Sequence, residues 1–564
     1  MSIPTAEQAN QVRVPTSIDA IAEAWVDAEL ELFPELRVYL GRPGREGEYA
    51  DYSPEGGERA VAEVRLSLAR IQAAVPVDAV DEVTKMDLTR ELQLHVDKHD
   101  AGFAARELNV IASPPQELRD IFDLMPTSTV DDWSHVATRM RNLPAAMDGY
   151  IQTLRSGIAG NNVPAIRQIR GVVAQAAKQV AETGFFFQLA EVSAADDGAP
   201  LPDSLRAELA KGARESAGAY ATLSDFLQNE LAAHSPEQDA VGREIYSLAS
   251  RDFLGAVIDL DETYEWGIEE LARMTAEQES VARQILPGAS VGEAIAFLDQ
   301  DTARKLKGTD ALQKWMQQTS DRVVEELSRV HFDIPPEVRR LECLIAPTEE
   351  GGIYYTPPTD DFSRPGRMWW SVPEGVTEFD TWRELTTVYH EGVPGHHLQI
   401  GQAVHNKATL NTWRRNAGTS GHAEGWALYA ERLMQQLGFL DDPADLLGML
   451  DGQRMRAARV VLDIGVHLQK PLPDGSGKWT GEYALGFLAD NVNMNDSFVR
   501  FEVDRYLGWP GQAPSYKVGQ RIWEQLRDEH ERREPGIFDI RAFHKKALNI
   551  GGVGLDTLRA AMLK

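Results

Sequence analysis

The stretch VYHEGVPGHHLQIGQ, residues 388–402, packs His390, Glu391, His396 and His397 into eight positions and divides them with Gly392-Val393-Pro394-Gly395. A metal-binding helix commonly carries His-Glu and a second His one turn later, so that both imidazoles share a face. Here Pro394 holds the position one turn on. The preceding DTWRELTTVYHE (380–391) predicts a helix arriving at His390 and Glu391. Were that helix to continue, its advance of about 100° per residue would turn His397, not His396, to the side of His390. The GVPG insertion argues against continuation, because proline and paired glycines distort or break the hydrogen-bond ladder. Spacing alone leaves His396 and His397 both open as the partner of His390. The expectation is that the insertion bends the helix so that a later histidine still reaches a shared metal.

A catalytic zinc takes three protein ligands and keeps an open position for water. A third donor lies downstream in GTSGHAEGWALYAERLMQQLGF (418–439), where a Gly/Ser turn leads into a predicted helix bearing His422, Glu424, Trp426, Tyr429 and Glu431. Glu424 and Glu431, seven residues apart, fall on one face. A glutamate near the start of such a helix can complete a metal site begun on the earlier one. Glu391, beside a candidate ligand but turned to another side, is suited to take a proton from metal-activated water. The competing reading is a purely structural cluster. His95 and His99 in LHVDKHD show how easily a four-residue His spacing arises, and that pair reads as solvated or structural.

The whole chain bounds these readings. Its 564 residues suffice for two or three domains, and 43% hydrophobic with 26% charged residues is ordinary for a soluble globular protein. No apolar run approaches the roughly 20 residues needed to span a bilayer. The opening MSIPTAEQANQVRVPTSIDAI has no basic-then-apolar pattern, so the expected address is the cytoplasm. A single cysteine, Cys343, excludes an internal disulfide framework and a cysteine-rich metal cluster, which leaves histidine and carboxylate as metal donors. Cys343 sits in the apolar LECLIAP and reads as inert packing. The formal charge of −30 argues against nucleic acid and anionic membranes as partners. It reads as an acidic, solvated surface.

Most of the first 330 residues read as amphipathic helix. ERAVAEVRLSLARIQAAV (58–75) and ALQKWMQQTSDRVVEELSRV (311–330) repeat apolar residues at three- and four-residue spacing. LPGASVGEAIAFLDQD predicts a turn and a capped helix start. After Pro335 the character changes. RRLECLIAP (339–347), GGIYYTPP (351–358) and GRMWWSVP (366–373) are short, branched or aromatic, and bounded by Gly and Pro, so they predict a small sheet. Strand edges beside a catalytic helix can bind an extended peptide, which makes Tyr355 a candidate substrate contact. The expected organisation is a helical lobe over 1–330 and a catalytic lobe over 331–564.

Four ordered motifs, HEGVPGHHLQ, HAEGWALYAE, RAARVVLDIGVH and PGQAPSYKVG, resemble the bacterial family catalogued as domain of unknown function 885, which looks like a distant branch of the gluzincin metallopeptidases. The resemblance implies a mostly helical, two-lobed fold with a deep channel floored by a zinc-bearing helix. It implies His390 as first ligand, Glu391 as general base and Glu424 as the downstream ligand. Related peptidases commonly have Gly before the second histidine, which selects His396 as ligand and leaves His397 as a supporting or substrate contact. The chain departs from the simple pattern by two inserted residues, Pro394 among them.

Two further segments supply candidates. In RMRAARVVLDIGVHLQ (454–469), Arg456, Arg459, Asp463 and His467 can share a face, either as a buried salt-bridge ladder or with His467 and the arginines lining the channel toward a carboxylate or developing oxyanion. In EVDRYLGWPGQAPSYKVGQRIWEQL (502–526), a helix predicted from about Ser515 places Tyr516 and Lys517 at its start, close to a site that binds negative charge, with Lys517 a candidate substrate contact. The resemblance implies a tyrosine or histidine donor opposite the metal, for which Tyr516 is the candidate. His530 and His544 read as surface residues. The expected function is a zinc hydrolase that cleaves an amide bond of a short peptide or peptide-like molecule. A non-heme iron(II) oxygenase using the same two histidines and carboxylate, and a non-catalytic metal-stabilised scaffold, are the alternatives.

Overall fold

In the computed structural model, which describes residues 13–346, 352–472 and 475–564, the periodic segments become the helices Pro54–Ala73 and Thr309–Val330. Each buries one stripe, Val61, Val64, Leu68 and Ile71 in the first, Leu312, Met316, Val323 and Leu327 in the second. The turn at Ser290 opens a helix with a capping box, in which Ser290 Oγ accepts from the Glu293 N–H and the Glu293 carboxylate accepts from the Ser290 N–H. The fold is mainly α with small sheets, as the pattern predicts. The opening residues 1–12, part of the leader reading, lie outside the described residues. Among the described residues no helix is long and apolar enough to cross a membrane.

The three predicted strands form one sheet. β1 (Lys305–Lys307) precedes them, then β2 (Leu341–Ile345), β3 (Ile353–Thr356), β4 (Gly366–Trp370) and β5 (Glu378–Asp380) follow in order. Central β4 runs parallel to β2 and antiparallel to β3. Pro347 and Gly351, at the ends of two predicted runs, lie outside the described residues. β1 and β5 make a separate antiparallel pair that the sequence did not suggest, since three residues per strand are too few for alternation to register. Leu341, Cys343, Met368 and Trp370 turn one face of the larger sheet onto Leu312, Met316 and Val388. Burial pushes the Cys343 thiol up to about 12, consistent with packing.

The largest apolar core runs across residue 330, the expected lobe boundary. It joins Tyr246, Leu260, Met274 and Val323 to Trp382, Trp426, Leu462 and Trp523, with helix Leu260–Ile285 lying along helix Pro443–His467. A second core, from Leu108 to Leu231, holds the long helices Val130–Gly160 and Asp203–Asn229 together. The N-terminal helices form a third core that reaches Trp413.

One contact fixes two site helices at close range. Helix Ser420–Gln436 meets helix Gln512–Arg533 through Gly421, Gly425 and Gly519, and a Cβ on Gly425 would lie 2.4 Å from the Gly519 carbonyl carbon. No side chain fits there. Gly425→Ala is predicted to destabilise the protein by about 1–3 kcal/mol through overpacking, read as a lowered urea midpoint at unchanged slope.

Candidate metal centre

The helix Thr381–Glu391 ends where the glycines begin. Gly392 N–H still donates to the Val388 carbonyl, at 3.0 Å, and the chain then folds back so that Gly395 N–H meets the Tyr389 carbonyl at 3.1 Å. The Val393–Pro394 peptide is cis. A new helix, His396–His405, starts immediately. A Cβ on Gly395 would lie 1.9 Å from the His390 carbonyl oxygen, so only glycine closes the turn. Trp426 pins it from the neighbouring helix, its indole N–H donating to the Pro394 carbonyl at 2.9 Å. The helix therefore stops and restarts. It does not bend, as the sequence suggested, because the backbone ladder is broken for several residues and reset in a new direction.

The restart brings two imidazoles edge to face, with His390 and His396 ring centroids 4.8 Å apart. Glu424 Oε2 lies 3.1 Å from His390 Nε2 and 3.6 Å from His396 Nε2. Donor atoms of His390, His396 and Glu424 all fall within 4.8 Å of one another. Ligands of a tetrahedral zinc at its usual bond lengths stand about 3.3 Å apart, so the set fits such an ion. The outer nitrogen of His390 is held as well, with Nδ1–H donating to Glu431 Oε1 at 2.8 Å while Thr386 donates to Oε2 at 2.9 Å. That bond fixes the ring orientation and turns Nε2 toward Glu424, where it becomes a ligand once its proton is lost to a metal. Glu424 and Glu431, two turns apart on one helix, thus grip one imidazole from both ends.

The electrostatics follow from this crowding. Burial disfavours a charged His390, but the two carboxylates outweigh it and push its pKa up to about 10 in the absence of a metal. Burial likewise opposes ionisation of Glu424, yet His396 and His390 hold it well below the usual carboxylate range. Glu391 is different. Burial raises its pKa, the nearby histidines oppose this only in part, and its Oε2 is buried without a hydrogen-bond partner. A carboxylate kept basic beside a metal-ligand set is the condition for proton transfer.

Tyr516 lies near this group. Its ring packs 5.3 Å from the Arg459 guanidinium and 5.8 Å from that of Arg456, and burial together with the Glu424 charge pushes its hydroxyl up to about 12. Its helix begins at Gln512, earlier than expected, so Tyr516 and Lys517 sit in the second turn.

Several expected substrate contacts face elsewhere. His397 is fully buried, its Nε2–H donating to the Val338 carbonyl at 2.7 Å and its Nδ1 2.9 Å from the Tyr355 hydroxyl, so both residues are spent on holding the second helix to the sheet. Arg459 is buried against Glu502 and Tyr506, and Lys517 against Glu270, Gln453 and Gln520. His467 is fully buried, bonded to the Tyr506 carbonyl and packed on Tyr246. The polar ends of His397, Tyr355, Arg459 and Lys517 are thus engaged inside the protein, whereas His467 keeps a buried Nδ1 without a partner. Arg456 remains half-exposed. His544 is not a surface residue: it is buried between Tyr429 and Phe332.

A cavity of about 1220 Å³ reaches the centre at Glu424. Gln399, Arg415, His422, Gln512 and Trp523 line it, and the sequence reading gave none of them a role. Glu431 and Trp426 share a predicted helix with Glu424, but their functions depend on the orientation of His390 and on the broken turn.

Buried His467 predicts acid lability. Burial depresses His467 to about 4, with the Tyr506 carbonyl opposing only in part. The unfolded chain, near 6.5, then binds more protons than the folded one between these values. Stability from this group is complete above pH 6.5 and is lost as pH falls through 4, amounting to about 3 kcal/mol. Urea unfolding at a series of pH values is predicted to show this slope, and His467→Gln to flatten it.

A model of the family described as "Bacterial protein of unknown function (DUF885)" matches residues 34–562. No functionally curated protein matches the chain. A crystal structure from Colwellia psychrerythraea, of a protein described as a lipoprotein, is 21% identical with a TM-score of 0.85, covering 97% of this chain and 99% of that one. A structure from Shewanella oneidensis, described as a lipoprotein of unknown function, is 17% identical with a TM-score of 0.75, covering 98% and 100%. A third, from Bacillus anthracis and described as an oligoendopeptidase F, is 11% identical over 91% and 93%, and its TM-score of 0.32 carries no argument. The first two establish the fold alone. Both of those proteins are described as lipoproteins, and against that finding the cytoplasmic address expected from the sequence does not stand. By a family match over nearly its whole length, the chain belongs to the bacterial family of unknown function DUF885.

Proposed function

We propose that this chain is a zinc-dependent hydrolase that cleaves an amide bond of a short peptide or peptide-like molecule. The observation that carries the reading is the convergence of His390, His396 and Glu424 within 4.8 Å, beside a buried, unpartnered Glu391 carboxylate. Two imidazoles and one carboxylate are a familiar catalytic zinc set. Zinc held there would supply Lewis acidity, lowering the pKa of water toward about 7.

The chain's own groups do the rest. Glu431 keeps the His390 ring in one tautomer. Glu391 accepts the proton of the attacking water and returns it to the leaving amine, a task its raised pKa suits. Tyr516, protonated at neutral pH, donates to the oxyanion as charge develops there, and the arginines against its ring hold it in place. The cavity of about 1220 Å³ exceeds the usual small-molecule pocket and suits a short peptide.

The same three donors describe a non-heme iron(II) centre, but an oxygenase has no use for the Glu391 base. Glu391→Gln is predicted to retain one zinc per chain and lose 10²–10⁴-fold in turnover of short peptides, whereas His390→Ala and Glu424→Ala lose the metal itself. His397→Ala should keep it. Metal content by plasma mass spectrometry and peptide turnover by mass spectrometry read both effects. Stoichiometric iron with oxygen-dependent turnover would favour the oxygenase, and zinc without any turnover would favour the scaffold.

A further inference from the structure

Although the chain carries a net charge of −30, three arginines, Arg42, Arg364 and Arg415, line the cavity that reaches Glu424. Two aspartates line it as well, and both are engaged. Asp360 pairs with Arg415, and Asp361 accepts from the Ser363 N–H at 3.0 Å and the Thr359 hydroxyl at 2.8 Å within its own loop.

Arg415 is the better-built anchor. Its side chain is 10% exposed. One terminal nitrogen meets Asp360 and the other Thr412 Oγ1 at 3.2 Å, while Nε is buried without a partner. A guanidinium presents five N–H donors, so each terminal nitrogen of Arg415 keeps one N–H unspent. Arg364 donates to the Pro357 carbonyl at 2.8 Å and has no carboxylate within ion-pair distance among the described residues. Burial lowers its pKa, and the neighbouring Arg367 charge adds to that effect. Half-sheltered guanidinium groups without a full complement of acceptors are complementary to a carboxylate, which they bind through paired N–H bonds.

We propose that Arg415 and Arg364 form a carboxylate-recognition end of the substrate cavity, so that the molecules taken are short peptides or N-acyl amino acids bearing a free carboxylate. The inference rests on the hydrolase reading for the chemistry but not for the binding. The chain limits the length of the substrate. Arg415 stands five residues before Ser420 and nine before Glu424. Extended chain followed by one helical turn keeps the two Cα atoms within roughly 24 Å. With the two side chains adding roughly 10 Å at most, a substrate spanning carboxylate site and metal centre places no more than about ten extended residues between them.

The test uses full-length, zinc-loaded Glu391→Gln protein, immobilised and offered a randomised tetrapeptide library in free-acid and C-terminally amidated forms. Retained peptides are read by mass spectrometry. The free acids are expected to be enriched at least tenfold over the amides. Arg415→Gln in the same background should reduce that ratio below twofold with zinc content unchanged, and Arg364→Gln provides the same reading should the first variant fail to fold. Amidated peptides retained only when they contain Asp or Glu would assign the carboxylate to a side chain instead of a terminus, within the same site. Equal retention of acid and amide forms, no retention of either, or a ratio that survives both substitutions overturns the proposal. Turnover of the same library by the unsubstituted protein is scored separately, so selective retention without turnover would leave the carboxylate site standing while removing the hydrolase.

Discussion

His390 is gripped at both ring nitrogens by carboxylates of one neighbouring helix, Glu424 at Nε2 and Glu431 at Nδ1. Seven residues of α-helix rise about 10.5 Å, which gives two glutamates the span to straddle an imidazole lying between them. Everything else in the centre is arranged around this clamp. Trp426, between the two glutamates, holds the broken turn by its indole N–H. The turn aims His396 back at Glu424, and the glycine contact with helix Gln512–Arg533 brings Tyr516 alongside. One helix thus supplies a candidate ligand, the partner of a second ligand and the brace for a third.

Much of this was legible in the sequence, and what was not has definite physical causes. The helix arriving at His390 and Glu391, the glutamate helix behind it and the small sheet before it all follow from periodicity and breakers. The choice between His396 and His397 does not, because helical phase is lost across a break. The direction of restart depends on Gly395 against the His390 carbonyl and on Trp426, contacts that spacing does not encode. The polar residues of helix Pro443–His467 were ambiguous for another reason. Arg459 and His467 read equally as channel-lining or internal, and the partners that decide the matter, Glu502 and the Tyr506 carbonyl, lie about 40 residues later. Lys517 is decided by Glu270, far earlier in the chain.

Charge is distributed to match this arrangement. Inside, Glu424 and Glu431 flank the imidazole of His390, and burial leaves Glu391 basic. In the cavity beyond, Arg42, Arg364 and Arg415 stand among the lining residues. Buried ion pairs such as Arg459–Glu502 and Lys517–Glu270 contribute little net stability after desolvation. They tie helix Pro443–His467 to helix Asp496–Gly508 and helix Gln512–Arg533 to helix Leu260–Ile285, and breaking either would strand a charge in the core.

The most direct test of the centre is anomalous diffraction at the zinc edge from crystals grown with zinc. The account predicts a single strong peak about 2.0–2.2 Å from His390 Nε2, His396 Nε2 and a Glu424 carboxylate oxygen, with His397 still bonded to the Val338 carbonyl. A peak ligated by His397, or no peak between His390 and Glu424 at saturating zinc, would contradict it.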